Sequence, residues 1–198
     1  MADDRAKAGR AAAGQTKRRM VDSAVLLLRE RGVAGVTVDA VLARSGAPRG
    51  SVYHHFPGGR SELIVEAVRR AGDYIATMVD DAAADGDARQ ALLRLVGFWK
   101  RTLVDSEFRA GCPVVAVAVD IRESPPEAAD LVREIFLRWQ GKLAALLAAE
   151  GFPAERAQRL GTLVIAAIEG AVVLCRARGD LDPLDDILAE MAPLMEMR

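Results

Sequence analysis

Two short helical patterns joined by a glycine-containing turn occupy residues 37–56. Apolar residues recur at helical spacing directly after Thr37, at Val38, Val41 and Leu42. The Thr37 hydroxyl is suited to capping the first free backbone N–H groups, Gly46 has the freedom to end the helix, and Pro48 suits the opening of the next one. A turn of about three or four residues between two helices is typical of a helix-turn-helix unit. The sequence therefore predicts that unit here.

The second helix of this unit has an apolar side and a polar side. Val52 and Phe56 are four residues apart, so both point into a small core. The remaining face and its edges carry Arg49, Ser51, Tyr53, His54 and His55. Such a mixture of basic, hydroxyl and aromatic groups is suited to a helix that enters a DNA groove. Adjacent histidines cannot turn both rings to one helical face, so no metal site is expected.

The segment from Gly50 to Phe56 resembles the recognition segment of TetR-type repressors. In that family the segment reads glycine, any residue, an aliphatic residue, tyrosine, any residue, histidine or tyrosine, and phenylalanine, and the same pattern stands here. The resemblance is strong over residues 16–70. Residues 57–60 and 111–116 are similar to the LmrA/YxaF-like branch of the family.

The resemblance implies an all-α fold of about nine helices. An N-terminal three-helix helix-turn-helix head would be followed by a C-terminal helical domain for ligand binding and dimerisation. The expected limits are a flexible arm at residues 1–15, the head at 16–62 and the second domain at 63–198. The composition agrees, because only 5% of residues are aromatic and alanine, leucine and valine favour packed helices here.

The resemblance also assigns the DNA contacts, which are Thr37, Arg44, Arg49, Gly50, Ser51, Tyr53, His54, His55 and Arg60. Arg49 is the first choice for base readout, since a guanidinium can donate two parallel hydrogen bonds to guanine. Gly50 lets the helix backbone approach the duplex closely. The threonine and the other two arginines of this set are expected to hold phosphates beside the groove. His55 has a second interpretation, which is packing beside Phe56.

Charge is divided unevenly along the chain. Residues 1–70 carry 13 Lys and Arg against 7 Asp and Glu, a net charge of +6, whereas residues 71–198 carry 14 against 21, a net charge of −7. A basic first third confines phosphate affinity to one end of the molecule. Alanine- and arginine-rich chains also scatter such charges without a function, but the coincidence with the helix-turn-helix pattern favours double-stranded DNA as a partner.

A ligand pocket is implied among the fourth to eighth helices. Its candidate lining residues are Tyr74, Met78, Phe98, Trp99, Cys112, Phe136, Trp139, Glu169 and Cys175. Aromatic residues at helical spacing also fill ordinary cores, so this set has both interpretations. Few charges are expected there, with Glu169 and Arg101 as candidate exceptions, so the expected small-molecule effector is planar and apolar or mildly polar.

Dimerisation is expected because one head covers too little DNA to be selective. Two heads about 34–36 Å apart would read an inverted-repeat operator in consecutive major grooves. The eighth and ninth helices would pair with their copies in a four-helix bundle through Leu160, Val164, Ile168, Leu184, Ile187, Leu188 and Met191. Apolar faces of this kind equally suit an ordinary core.

A different class of function rests on Cys112. An all-helical enzyme or ligand-sequestering protein with a vestigial head would use this thiol, because a helix N-terminus stabilises a thiolate. Neither a nearby histidine nor a Cys-x-x-Cys spacing with Cys175 supports such chemistry in the sequence. We therefore expect no enzyme activity and no cofactor. The resemblance implies a repressor, although the residues leave activation open.

The sequence predicts a cytoplasmic protein without a membrane segment. It contains no uninterrupted run of 18 apolar residues, and residues 1–14 lack the apolar core of a secretory signal.

Overall fold

The computed structural model describes residues 2–85 and 87–196, and every regular element in this part of the chain is helical. Its α-helices are α1 (Ala2–Arg31), α2 (Val38–Ser45), α3 (Ser51–His55), α4 (Gly59–Asp85), α5 (Ala88–Asp105), α6 (Pro113–Val119), α7 (Pro126–Ala149), α8 (Ala154–Arg178) and α9 (Asp182–Met191). Short 3-10 turns follow α1 at Val33–Gly35 and α9 at Pro193–Met195. The expected all-α fold of about nine helices is confirmed.

Helix α1 begins well before residue 16, where the sequence predicted its start. The residues assigned to a flexible arm, 1–15, are helical from Ala2 onward. Alanine is the strongest helix former, it recurs between Ala2 and Ala13, and no proline interrupts the segment. The expectation differed because it treated a polar segment of mixed charge as coil.

The head is built as the turn chemistry predicted. The Thr37 hydroxyl accepts a hydrogen bond from the backbone N–H of Ala40 at 3.1 Å, and Gly46 ends α2 in the left-handed conformation with φ 65°. Helix α3 starts later than Pro48, at Ser51, whose backbone N–H donates to the Pro48 carbonyl. The core under these helices includes the fully buried Met20, Val41, Val52, Phe56 and Leu63.

Close helix crossings organise the second part of the chain. Helices α4 and α7 meet at Gly72, where an added Cβ would lie 2.5 Å from Ile135 Cδ1. The indole N–H of the buried Trp139 donates to the Gly72 carbonyl at 2.9 Å. Helices α7 and α8 meet at Gly161, where an added Cβ would lie 2.7 Å from the Gln140 carbonyl oxygen. Any larger residue would push these helices apart.

Gly72→Ala is expected to lower the free energy of unfolding by about 1–3 kcal/mol, because the new methyl overlaps a branched core side chain. Urea denaturation followed by circular dichroism measures the change. Gly141→Ala in α7 is the matched control, since nothing lies within 4 Å of an added Cβ there. Alanine at that position is expected to stabilise by up to about 1 kcal/mol. Equal losses in both variants would contradict the close crossing.

Helices α7 and α9 begin without a side-chain cap. The Ser124 hydroxyl donates to the Asp120 carbonyl at 2.9 Å instead of forming a capping box with Glu127. Pro125 precedes another proline and is therefore held extended, with ψ 141°, so α7 starts at Pro126. Asp182 lies inside the first turn of α9 and Leu181 occupies the cap position.

The predicted dimer residues lie in the core of the single chain. Leu160, Val164, Ile168, Leu184 and Met191 are all at most 7% exposed, and Ile187 and Leu188 are partly buried against them. Their periodicity was identified correctly, but it faces neighbouring helices of the same chain. This part of the interface prediction is therefore corrected, because buried side chains of one subunit are not available to a second.

Helix α8 is long and apolar enough to cross a membrane by length and composition alone, whereas the sequence predicted no such segment. The difference arises because the helix is apolar except for a few interruptions such as Glu169. Within the chain, 44% of its most apolar window is buried. A core helix passes the same criterion, and the remaining apolar surface is a face of α8 that is described below.

Candidate nucleic-acid interface and neighbouring cavities

Helix α3 presents the predicted DNA-contacting side chains on the outside of the head. Tyr53 is 65% exposed, while Val52 on the inner side is fully buried. The other exposed residues of this face are Arg49, Gly50 and His54. These three residues and Tyr53 form what we call the recognition surface. They share one side of the head and carry no described ion pair with the rest of the chain.

Ser51 and His55 flank the recognition surface and are partly buried. The Ser51 hydroxyl donates to the Pro48 carbonyl at 2.6 Å, so it helps to close the turn. The His55 ring lies edge-on to Phe56 with 6.4 Å between centroids. The packing interpretation of His55 thus has a structural basis, and both residues stand at the edge of the surface.

The three predicted phosphate anchors have partners within the chain. Thr37 caps α2, and Arg44 donates to both carboxylate oxygens of Glu30 at 2.7 and 2.8 Å. This hydrogen bonding lowers the pKa of Glu30. Arg60 donates to two carbonyls at the turn after α1, those of Val36 at 2.7 Å and Val33 at 2.8 Å. Arg60 therefore joins the start of α4 to that turn, which the sequence did not predict.

Two glycines near α3 differ in what the fold demands. Gly59 has φ 59°, and an added Cβ there would lie 3.3 Å from the Tyr53 ring, so the fold favours glycine. Gly50 has an ordinary helical conformation with φ −71°, and nothing lies within 4 Å of an added Cβ. The chain itself gives no reason for glycine at position 50.

Lys17 is a candidate contact that the sequence analysis missed. Its ammonium group lies 5.3 Å from the centroid of the Phe56 ring, directly behind the end of α3. Arg18 and Arg19 follow it and are exposed. The consecutive basic residues in the sequence were the signal that could have identified this part of the head.

The outward face of α8 is an exposed stripe of small and apolar residues. Its members recur every three or four positions and are Thr162, Leu163, Ala166, Gly170, Val173 and Leu174. Leu163 is 42% exposed, Val173 53% and Leu174 54%. We call this face the α8 stripe. It lies opposite the buried face that was predicted to form the dimer interface.

A cleft of about 890 Å³ lies between α1 and α4. Tyr74, which is 55% exposed, and the buried Phe98 lie on its wall with ring centroids 5.4 Å apart. Charged pairs also line it, including Arg70 with Asp22 at 2.6 Å. The cleft is wide enough for a small ligand, and it opens on the surface between the head and the rest of the chain.

A second cavity of about 480 Å³ is lined by the end of α1, by α6 and by α8, and it is partly open to solvent. We call it the α1/α6/α8 cavity. Arg29, Cys112, Glu169 and Arg176 contribute its polar groups, while the apolar lining comes from residues such as Val115, Val119 and Val172. Arg29 also lines the α1/α4 cleft, so it borders both spaces.

Burial raises the pKa values of two polar groups of this cavity, Glu169 and Cys112. Burial raises the pKa of Glu169 to about 7, against the opposing effects of a hydrogen bond from Cys112 and of the charge on Arg29. Burial and the neighbouring Glu169 raise the pKa of the Cys112 thiol well above its ordinary value. A thiol held neutral in this way is a poor nucleophile, which removes the reason for assigning catalysis to Cys112.

The candidate ligand residues separate into three groups. Tyr74 and Phe98 line the cleft, and Cys112 and Glu169 line the cavity. The others line neither space and are Met78, Trp99, Phe136, Trp139 and Cys175. Trp99, Trp139 and Cys175 are buried core side chains, which favours the core interpretation for these three residues. Arg101 is exposed on α5 and lines neither space.

Sequence comparison matches two families over successive parts of the chain. Residues 20–67 match the family described as bacterial regulatory proteins, tetR family, and residues 88–190 match the C-terminal domain of LmrA/YxaF-like transcriptional regulators. An uncharacterized HTH-type transcriptional regulator of Mycobacterium tuberculosis is 40% identical over 184 residues, covering 90% of this chain and 93% of that protein. HTH-type transcriptional regulator LmrA of Bacillus subtilis is 29% identical over 175 residues, covering 86% and 92%.

Solved structures share the helical arrangement. A TetR family transcriptional regulator from Agrobacterium tumefaciens has a TM-score of 0.80 at 21% identity, covering 91% of this chain and 97% of that one. A TetR transcriptional regulator from Legionella pneumophila has a TM-score of 0.78 at 20% identity, covering 89% and 95%. These likenesses concern the fold, and they place the helix-turn-helix unit and the longer helices in the same order.

Proposed function

This chain belongs to the TetR family of bacterial regulatory proteins, in its LmrA/YxaF-like branch, and from that premise we propose that it is a ligand-responsive transcriptional repressor that binds an inverted-repeat operator as a homodimer. The observation that carries the proposal is the recognition surface. It places exposed donors on a short helix whose inner side is fixed in the core. As a regulator of bacterial promoters, the protein acts in the cytoplasm.

Each residue of the recognition surface has chemistry suited to one part of the duplex. Arg49 donates two hydrogen bonds to a guanine edge in the major groove. Tyr53 and His54 donate to phosphate or base acceptors, and Gly50 lets the backbone come close. The net positive charge of residues 1–70 adds affinity that does not depend on sequence.

Two chains associate through the α8 stripe. An exposed row of small and apolar side chains lets two helices approach closely, and pairing with the adjacent part of α9 completes a four-helix bundle. This arrangement uses the exposed face of α8, whereas the buried face fills the core. The two heads then stand about 34–36 Å apart, as consecutive major grooves require.

Effector binding lowers operator affinity by changing the spacing of the heads. Helix α4 has 27 residues and is about 40 Å long. It begins at the Arg60 contact in the head and passes through the Gly72 crossing with α7 near its midpoint. A movement of α7 or α6 on ligand binding is carried to the head by this one rigid element. Coupling of the usual size, about 1–3 kcal/mol, weakens operator binding roughly 5- to 150-fold.

Fluorescence anisotropy with duplexes from the region upstream of the protein's own gene tests the proposal. Affinity is expected to fall steeply with salt, and Arg49→Ala to cost about 1–3 kcal/mol at each half-site. Arg133→Ala on the exposed side of α7 is the control and is expected to leave the affinity unchanged. If wild-type protein binds no such duplex at low salt, or if both variants bind alike, the proposal is wrong.

Gly50→Ala tests whether residue 50 affects operator binding without affecting the stability of the fold. The free energy of unfolding is expected to change by less than about 1 kcal/mol, because the backbone is helical and space for a methyl is available. Operator affinity is expected to fall about tenfold or more, which corresponds to at least about 1.4 kcal/mol. Urea denaturation and anisotropy on the same preparation give the two values. Unchanged affinity would show that the backbone does not approach the duplex at this position.

A further inference from the structure

We propose that the α1/α6/α8 cavity binds the effector, and that the effector is a small monocarboxylic acid with an apolar body. This inference rests on the proposed function, because it names the ligand class to which the regulator responds. The volume of the α1/α6/α8 cavity, about 480 Å³, is within the usual range of small-molecule sites. Its wall combines apolar side chains with a few converging polar groups, which is the usual make-up of such a site.

Arg29 is the group that would bind the carboxylate. Its Nε atom is buried and has no hydrogen-bond partner among the described residues. Its guanidinium is packed over the rings of Phe98 and Trp99, 5.5 and 6.0 Å from their centroids, which fixes its plane. A buried guanidinium with an unused donor is costly unless something accepts from it. A carboxylate entering the cavity supplies that acceptor together with a compensating charge.

The remaining charges favour an anion over a cation. Facing groups from the surrounding elements are Arg29, Glu30 and Arg31 of α1, Cys112 and Asp120 at the two ends of α6, and Glu169 and Arg176 of α8. Glu30 is already paired with Arg44, and the Cys112 thiol is neutral. Protonation of Glu169 therefore leaves three arginines against Asp120. An acid is expected to bind more tightly at pH 6 than at pH 8, with uptake of a proton by Glu169.

The cavity adjoins both the head and the α8 stripe. The backbone N–H of Gly111, just before α6, donates to the Arg29 carbonyl at 2.8 Å. At the other end of α6, Asp120 lies beside Gly32, where an added Cβ would be 3.3 Å from its Oδ2. Val173 lines the cavity and also belongs to the stripe. A ligand here contacts the junction of α1 with the helix-turn-helix unit and the helix that joins the subunits.

Thermal denaturation and isothermal titration with the full-length protein test the ligand class. The probes are hexanoate, octanoate, decanoate, benzoate and 4-butylbenzoate, each paired with its own primary amide. At least one acid is expected to raise the melting temperature and to bind more tightly at pH 6 than at pH 8, while its amide does neither. Arg29→Gln is expected to weaken binding of that acid about 10- to 100-fold, which is the effect expected when a charge-assisted hydrogen bond is lost.

A second variant keeps the test decisive if Arg29→Gln fails to fold. Ala116→Leu adds bulk at the apolar wall of the cavity and is expected to abolish binding of the acid. Arg133→Gln on the exposed side of α7 is the matched control and is expected to bind as the wild type does. Acids that bind no better than their amides, or that bind Ala116→Leu unchanged, overturn the inference. Operator binding is also measured without ligand. A protein that binds the operator but no acid contradicts this inference alone, whereas a protein that binds no operator contradicts the proposed function.

Discussion

Leu163→Lys combined with Val173→Lys is expected to convert the proposed dimer into a monomer and to weaken operator binding by about 10²- to 10⁴-fold. Both side chains are exposed on the α8 stripe, so lysine is tolerated in the free chain but places like charges against each other across a two-fold axis. The affinity falls because the second head no longer binds as part of the same molecule. Analytical ultracentrifugation gives the association state and fluorescence anisotropy gives the affinity.

Leu137→Lys is the control for this experiment. Leu137 is 63% exposed on α7, which makes it an apolar surface residue outside the α8 stripe. The substitution adds the same charge to the same kind of position, and the variant is expected to remain dimeric with unchanged operator affinity. A stable dimer in the double α8 variant would show that the subunits associate through another surface.

The local features of the head could be predicted because their causes are local. The Thr37 cap, the left-handed Gly46 and the outward position of Tyr53 depend on residues within a few positions of each other. The partners of Arg44 and Arg60 lie 14 to 27 positions away. No periodicity connects residues at such distances, so the sequence could not predict that both arginines have partners within the chain.

Helix α8 shows why the dimer face could not be read from apolar spacing. It is apolar on two opposite sides, with Val164 and Ile168 on the buried one and Leu163 and Leu174 on the exposed one. Spacing identifies both faces equally well, and only the packing of α5, α7 and α9 decides between them. The dimer face was predicted from the stronger apolar repeat of α8, and this repeat is the one that the core buries.

The cavity could not be predicted from the sequence for a related reason. Arg29, Cys112 and Glu169 come from three segments, and no motif links an α1 arginine to a glutamate some 140 positions later. Cys112 and Glu169 were both considered as pocket residues, but Arg29 was not. Its position after an ordinary amphipathic run gave no sign that its guanidinium would be buried over two rings.

Glu169→Gln is expected to stabilise the folded protein above pH 7 and to have little effect near pH 5. Burial raises the pKa of Glu169 from its ordinary value of 4.5 to about 7, so the folded state binds a proton more tightly than the unfolded chain. Its contribution to stability is complete below about pH 4.5 and is lost as the pH rises to about 7. The full shift corresponds to roughly 3 kcal/mol, and partial opening to the cavity reduces this to about 1–3 kcal/mol.

Urea denaturation at pH 5, 6, 7 and 8 measures this difference, at one protein concentration because the proposed dimer makes stability depend on concentration. The wild type is expected to lose stability relative to Glu169→Gln over this range, since the amide keeps the shape of the protonated carboxyl and cannot ionise. Glu134→Gln on the exposed side of α7 is the control and is expected to follow the wild type. A constant difference between wild type and Glu169→Gln at all four pH values would mean that this carboxyl ionises in the folded protein as it does in the unfolded chain. The cavity would then lack the proton uptake by Glu169 that is expected to make acids bind more tightly at pH 6 than at pH 8.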